Sequence, residues 1–168
     1  MTDAEEQAGT VSDADMGYLR RCVELAEEAV EAGDFPFGSV LVGRDGTVLA
    51  EDRNRERSTG DPTSHPEFEL ARWAAKHLSP ADRAAATVYT SGEHCPMCAA
   101  AHGWVGLGRI VYVTSSAQLR PWLAELGVPP APVRSLSVQD LLPGAEVAGP
   151  VPGLTERVHE LHRRFRST

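Results

Sequence analysis

The sequence TVYTSGEHCPMCAAAHGWVGLGRIVYV, residues 87–113, carries the strongest local signals of the chain. The apolar runs at its two ends predict strands, and the residues between them predict a tight loop followed by a helix. Pro96 suits the first position of that helix, where its missing N–H has no intrahelical partner. Cys95 then lies at the helix cap and Cys98 in the first turn. Both sulfurs therefore face one side, where the helix dipole and free N–H groups favour thiolate.

A second helix start lies upstream, at His65-Pro66-Glu67, before the apolar-periodic residues 68–78. One histidine and two cysteines make three zinc ligands, which is the number that leaves a coordination position for water in catalytic sites. A redox C-x-x-C of the thioredoxin type is the alternative for Cys95 and Cys98, and the upstream His-x-Glu argues against it.

The pattern H-x-E followed by C-x-x-C is the signature of zinc deaminases. The chain resembles the cytidine-deaminase-like superfamily over about residues 35–115, and weakly at its final helix. The resemblance implies one Zn²⁺, with a bound water or hydroxide, held by His65, Cys95 and Cys98. It also implies that Glu67 moves the protons of the reaction. The alternative for Glu67 is a negative charge that only stabilises a helix N-terminus.

Three further positions match the family on the substrate side. Asn54 lies eleven residues before His65, where the family has an asparagine that contacts the base; a turn residue is the alternative. Phe37, in Pro36-Phe37-Gly38, and Trp104 resemble residues of the bacterial guanine deaminases. An aromatic ring beside a flat base favours stacking, and ordinary core packing is the alternative for both rings.

Two positions depart from the family pattern. Pro66 stands where relatives have Ala or Gly, and it has no backbone N–H to offer a substrate ring. We therefore expect Pro66 to alter the choice of substrate. His94 replaces the common Pro before the first cysteine, and with Glu93 it is a candidate substrate contact. The alternatives for His94 are a capping or solvent-facing imidazole, a contact or proton relay at the pocket mouth, and a fourth zinc ligand.

The remaining pattern predicts an α/β domain. Helices are expected at residues 12–32, 65–78, 117–126 and 154–165, besides the one that starts at Cys95, and strands at 37–42, 47–50, 86–90, 110–114 and 133–138. This order implies a three-layer α-β-α sandwich with a mixed five-stranded sheet, in which the strands flanking the cysteine helix are parallel. Residues 1–11 are predicted to be a disordered tail, and residues 12–168 a single zinc-dependent deaminase domain. Residues 127–153 are either a connection or a lid.

Composition narrows the classes of function. The 168 residues carry a net charge of −8, which argues against a surface that binds nucleic acid. No apolar run is long enough to span a membrane, and the acidic first residues are unlike a secretory signal, so a cytoplasmic location is expected. Cys22 is predicted to be an inert core thiol. The histidines without ligand partners at useful spacing are expected to be ordinary: His77, His102, His159 and His162.

The resulting hypothesis is a zinc-dependent aminohydrolase that acts on a small free amino-heterocycle. A purine nucleobase or nucleoside of the guanine type is the first expectation. The alternatives are a tRNA adenosine deaminase, favoured by the basic residues 162–166, a cytosine or cytidine deaminase, and a catalytically silent scaffold subunit. The family resemblance also implies a homodimer, with partner residues completing the pocket.

Overall fold

The fold is built on one mixed sheet, seen in a computed structural model that describes residues 9–168. Its strands are β1 (Gly38–Val42), β2 (Val48–Arg53), β3 (Thr87–Gly92), β4 (Ile110–Thr114) and β5 (Val147–Ala148), in the spatial order β2-β1-β3-β4-β5. Strand β1 is antiparallel to both of its neighbours, whereas β4 is parallel to β3 and to β5. The predicted mixed five-stranded sheet and its parallel pair around the cysteine helix are confirmed.

Helices cover both faces of this sheet. Within residues 9–168 they are α1 (Asp13–Glu31), α2 (Glu56–Thr59), α3 (Pro66–His77), α4 (Pro80–Ala85), α5 (Pro96–Val105), α6 (Ser116–Glu125), α7 (Val138–Leu141) and α8 (Pro152–Arg166). Helices α1 and α8 pack on one face, and α3 and α5 on the other. The predicted three-layer α-β-α arrangement is therefore confirmed. Helices α2 and α4, which have no sequence prediction, are single-turn or short elements in the connections around α3.

The core has two main halves because successive residues of a strand point to opposite faces. Val40 and Val42 of β1 join the cluster of α1 and α8, and Leu41 between them joins the cluster of α3. All five residues of β1 are buried, as expected for a central strand covered on both faces. Cys22 is fully buried in the α1 cluster, in agreement with its prediction as a core thiol.

The predicted fifth strand at residues 133–138 is wrong. The sheet ends instead with Val147–Ala148, and Val133 is 57% exposed. Ser137 and Asp140 form a capping box that starts α7, so the chain turns into a helix where a strand was expected.

Residues 127–153 are predicted to be a connection or a lid. The second half of this segment packs against the sheet. Val138 and Val147 are buried with Ile110 and Tyr112 of β4 in a third cluster. The predicted tail, residues 1–11, falls mainly outside the described residues. At its end, the N–H of Gly9 donates to the carbonyl of Val147 at 2.8 Å, beside the same edge strand. Among the described helices, none combines the length and the apolar character needed to cross a bilayer.

Candidate active site

Three predicted metal ligands meet where two helices begin. His65 is the N-cap of α3, Cys95 is the N-cap of α5 and Cys98 lies in the first turn of α5. The two Sγ atoms are 3.5 Å apart, and each lies 3.5 Å from Nδ1 of His65. Tetrahedral zinc with bonds of about 2.3 Å to sulfur and about 2.0 Å to nitrogen separates its ligand atoms by about 3.5–3.8 Å. The triangle therefore fits a zinc ion, and it leaves a fourth position for water.

The protons of these three side chains are coupled. Hydrogen bonding from Cys98 lowers the pKa of Cys95 to about 4 against the effect of burial, and His65 acts in the same direction. The same contact with Cys95, together with burial, raises the pKa of Cys98. Burial alone would lower the pKa of His65, but contacts with Cys95 and Glu56 raise it to about 10. The contacts among the three side chains therefore favour the thiolate form of Cys95, the form that binds a metal cation.

Glu67 lies in the first turn of α3 and is 6% exposed. Its Oε1 accepts a hydrogen bond of 2.7 Å from the hydroxyl of Thr90, and the hydroxyl of Ser39 lies 3.1 Å from the same oxygen. Burial raises the pKa of Glu67, and the bond from Thr90 opposes this shift. Both side-chain donors, Ser39 and Thr90, contact Oε1, and no other residue among residues 9–168 donates to Oε2. One oxygen is therefore fixed and the other remains available to exchange a proton.

Ser39 and Thr90 are two site residues that the sequence pattern does not predict. They are directly opposite each other in the β1–β3 register, so their hydroxyls meet under Glu67. The available signal is a polar residue inside each apolar strand, in GSVLV and in TVYTSG. Such a signal becomes specific only when the register of the two strands is known.

A second missed residue is Glu56, at the start of α2. Its Oε1 lies 2.9 Å from Nε2 of His65 and accepts a hydrogen bond of 2.9 Å from Nδ2 of Asn54. Asn54 is 1% exposed, and its backbone N–H donates to the carbonyl of Phe37 at 2.9 Å. The structure thus brings the predicted substrate-side Asn54 next to the predicted zinc ligand, through a carboxylate between them.

The two predicted stacking rings have different environments. The half-buried ring of Phe37 packs edge-on against His162, with ring centroids 5.3 Å apart. A side chain added at Gly92 would place its Cβ 3.1 Å from this ring, so Phe37 lies at the end of β3, just before the cysteine loop. Trp104 is 90% exposed near the end of α5.

His94 is buried, not solvent-facing. Its side chain is 1% exposed, neither ring nitrogen has a hydrogen-bond partner among the described residues, and it does not cap α5. The ring lies edge-on to His102 at 5.3 Å, and burial holds the pKa of His94 well below its usual range. The solvent-facing and capping interpretations are therefore wrong. His94 is not part of the cluster of three candidate ligands, His65, Cys95 and Cys98.

Glu93 anchors two helices. Its carboxylate accepts hydrogen bonds from the backbone N–H groups of Ser116 at 2.7 Å and Val138 at 2.8 Å, which are the first residues of α6 and α7. Both oxygens thus serve helix N-termini, which favour negative charge. The predicted contact of Glu93 with substrate stays a prediction beside this observed role. Pro66 is buried at the first position of α3, directly between His65 and Glu67, and it offers no N–H there.

The sheet order and the two ligand-bearing helix starts define a cytidine-deaminase-like protein. Residues 12–114 match the family profile of the cytidine and deoxycytidylate deaminase zinc-binding region, and the chain belongs to this family.

Its relatives act on different bases. Guanine deaminase of Bacillus subtilis is 41% identical over 96 residues, which are 56% of this chain and 61% of that protein. The probable cytosine deaminase of Schizosaccharomyces pombe is 32% identical over 145 residues, 83% of this chain and 86% of that protein. Bacterial tRNA-specific adenosine deaminases also match.

A solved structure supports the fold. Guanine deaminase from Nitrosomonas europaea superposes with a TM-score of 0.70 at 18% identity, over 95% of this chain and 87% of that one. The chain therefore belongs to the deaminase family. Its relatives differ in the base they deaminate and do not identify the substrate of this chain.

Proposed function

We propose that this protein is a zinc-dependent deaminase that releases ammonia from a small free amino-heterocycle, with a purine of the guanine type as the first candidate. The observation that carries the proposal is the triangle of His65, Cys95 and Cys98 beside a buried Glu67 with one free oxygen. Bound zinc lowers the pKa of its water to about 7, which makes hydroxide available at neutral pH.

Glu67 supplies the proton transfers that hydrolytic deamination requires. Its free Oε2 takes a proton from the attacking water and delivers it to the ring nitrogen as the ring carbon becomes tetrahedral. It then passes the second proton to the departing amine, so water is consumed and ammonia leaves. The fixed Oε1, held by Thr90, keeps the carboxylate aimed during both transfers. Asn54 and the ring of Phe37 are the side chains proposed to orient the base.

The arrangement of the C-terminal residues favours a small substrate over tRNA. The basic residues 162–166 are the main support for the tRNA alternative, but His162 is buried against Phe37. The next two arginines are paired with carboxylates, Arg163 with Glu160 and Arg164 with Glu27. With a net charge of −8 over the whole sequence, little free positive charge remains for a phosphate backbone.

We also propose a cytoplasmic homodimer. Trp104 is 90% exposed on α5, where the half-buried Met97, Ala101 and Val105 accompany it. A large apolar side chain of this kind is typical of an interaction surface. A second copy that covers Trp104 would give this ring the partly enclosed environment that the single chain lacks.

The test is ammonia release by purified, zinc-loaded protein from guanine, adenine, cytosine, their nucleosides and triazines, with zinc content measured in parallel. We expect turnover of a purine and its loss, by about 10²–10⁴-fold, in Glu67→Gln. Glu69→Gln, which removes the same charge from a half-buried position of the same helix, is the matched control. Release from cytosine alone would establish the pyrimidine alternative. Zinc binding without release from any compound would support the scaffold alternative.

A tRNA anticodon stem-loop completes the panel. Deamination of its adenosine, with binding that weakens steeply as salt rises, would replace the small-molecule proposal. No deamination of the stem-loop is the expected result.

A further inference from the structure

One carboxylate oxygen contacts two residues of different function. Oε1 of Glu56 lies 2.9 Å from Nε2 of His65 and 2.9 Å from Nδ2 of Asn54. We propose that Glu56 is a positioning residue that fixes both the zinc-binding histidine and the asparagine that faces the substrate. This inference rests on the proposed function, because it assigns His65 to zinc and Asn54 to the base.

On the metal side, Glu56 selects the form of His65 that can bind zinc. The Nδ1 atom faces the two sulfurs at 3.5 Å, and Nε2 faces Glu56 from the opposite side of the ring. A proton held on Nε2 by the carboxylate leaves the lone pair of Nδ1 free for the metal. Carboxylates in this position orient histidine ligands and make them more basic, and their removal weakens metal binding by about 10–100-fold.

On the substrate side, Glu56 holds both ends of the Asn54 amide. Nδ2 donates to Oε1 of Glu56, while Oδ1 accepts from the backbone N–H of Glu56 at 3.0 Å. Because the amide donates at one end and accepts at the other, it cannot flip without losing both bonds. One N–H of Nδ2 and one lone pair of Oδ1 remain for a substrate, in a fixed orientation.

The backbone around Glu56 is itself held in place. The N–H of Arg55 donates to the carbonyl of Ser64 at 3.1 Å, which joins α2 to the residue before His65. Ser58 donates its N–H at 2.8 Å to the buried Asp34, which is paired with Arg53 at 3.0 Å. In the described part of the chain no arginine or lysine forms an ion pair with Glu56. His65 and Asn54 are thus the side chains that the structure gives this carboxylate as partners.

The first test measures zinc affinity by competition with a fluorescent chelator, which does not depend on turnover. We expect Glu56→Ala to bind zinc about 10–100-fold more weakly than the wild type. Glu56→Gln, which retains an acceptor oxygen but not the charge, should lie between them. Glu69→Ala is the matched control and should bind as the wild type does. Equal affinities of the wild type and a folded Glu56→Ala or Glu56→Gln variant would overturn the inference, whereas a wild type that binds no zinc would overturn the proposed function.

The second test follows side-chain protons by ¹⁵N NMR on the zinc-loaded protein. In the wild type and in Glu69→Ala, we expect a slowly exchanging Nε2–H of His65 and two well-separated amide protons of Asn54, assigned by their loss in Asn54→Ala. In Glu56→Ala, the Nε2–H of His65 should exchange rapidly with water. The two amide proton signals of Asn54 should broaden. Circular dichroism checks that each variant is folded. If Glu56→Ala does not fold, the same NMR signals are measured in Glu56→Gln. Unchanged signals in either variant would contradict the positioning role.

Discussion

Thr90 donates a hydrogen bond of 2.7 Å to Oε1 of Glu67, and this bond joins the central sheet to the helix that carries the candidate proton-transfer group. Ser39 lies opposite Thr90 in the adjacent strand, with its hydroxyl 3.0 Å from that of Thr90. The carboxylate of Glu67 therefore depends on strand pairing for its orientation. A hydrogen bond to a charged group contributes about 1.5–3 kcal/mol.

Thr90→Val should reduce kcat/KM for ammonia release by about 10–100-fold, because 1.4 kcal/mol corresponds to a factor of ten. The shape of the side chain is kept while the donor to Glu67 is lost. Thr87→Val, at the half-buried start of the same strand, should retain full activity. Steady-state kinetics on the best substrate of the panel provides the measurement. Undiminished activity of a folded Thr90→Val protein would show that this bond does not orient Glu67 for catalysis.

Glu93→Gln should lower the free energy of unfolding by about 1.5–3 kcal/mol, the contribution of one charged hydrogen bond. The amide keeps one acceptor for the N-termini of α6 and α7 but loses the second acceptor and the charge. Urea unfolding measures the change, with Glu125→Gln at an exposed position of α6 as the control. An increased KM with unchanged stability would instead support the predicted contact of Glu93 with substrate.

Asp15→Asn should destabilise the fold by about 3–5 kcal/mol, because it leaves the charge of Arg109 without its buried partner. Arg109 and Tyr89 donate to Asp15 at 2.9 Å and 2.6 Å, which joins α1 to the sheet. Burial alone would raise the pKa of Asp15, but these two bonds hold it well below its usual range.

Because the pKa of Asp15 is lowered in the folded protein, the free energy of unfolding should decrease as the pH falls. The contribution of Asp15 is fully present above the unfolded pKa of about 3.9 and is lost progressively as the pH falls below it. Urea unfolding at pH 7, 4 and 3 should show a steeper loss for the wild type than for Asp15→Asn. Asp13→Asn, exposed in the first turn of the same helix, should behave as the wild type. If the free energy of unfolding decreased equally with pH in the wild type and in Asp15→Asn, Asp15 would not be the source of the acid-sensitive stability.

Gly38→Ala should destabilise the protein by about 1–3 kcal/mol, because overpacking a tight contact forces the backbone to move. The added Cβ would lie 2.4 Å from the Cβ of Leu25 and 2.5 Å from the carbonyl oxygen of Cys22, where α1 crosses β1. Gly17→Ala, with no atom within 4 Å of the added Cβ, should stabilise α1 by about 0.5–1 kcal/mol. Thermal unfolding compares the two. A Gly38→Ala protein as stable as the wild type would mean that α1 can shift at little cost.

Trp104→Glu should convert the proposed dimer into a monomer, because a charge at a buried contact without a partner is costly. Light scattering after size-exclusion chromatography gives the mass. Val133→Glu changes another exposed apolar residue, on the loop before α7, and should leave the dimer intact. A monomeric wild type, or a dimer unaffected by Trp104→Glu, would rule out the proposed contact.

Much of the fold was predictable because its signals are local. Ser12, the prolines at positions 66 and 96, and the apolar periodicity fix where α1, α3 and α5 begin, and the structure agrees within one or two residues. The prediction failed at residues 133–138, where the capping box of Ser137 and Asp140 starts a helix instead of continuing a strand. The true fifth strand has only two residues, and its place depends on pairing with β4 rather than on its own composition.

The sequence by itself determined which chemistry the site contains, since the residues His65, Cys95 and Cys98 occupy helix starts whose local geometry follows from Pro66 and Pro96. Only the tertiary structure decided what surrounds that chemistry. Glu56, at the start of α2, contacts the side chain of His65. The hydroxyl that donates to Glu67 belongs to Thr90 of β3. Such contacts join residues that are distant or irregularly spaced in sequence, and strand register and chain packing, not spacing, bring them within hydrogen-bond distance.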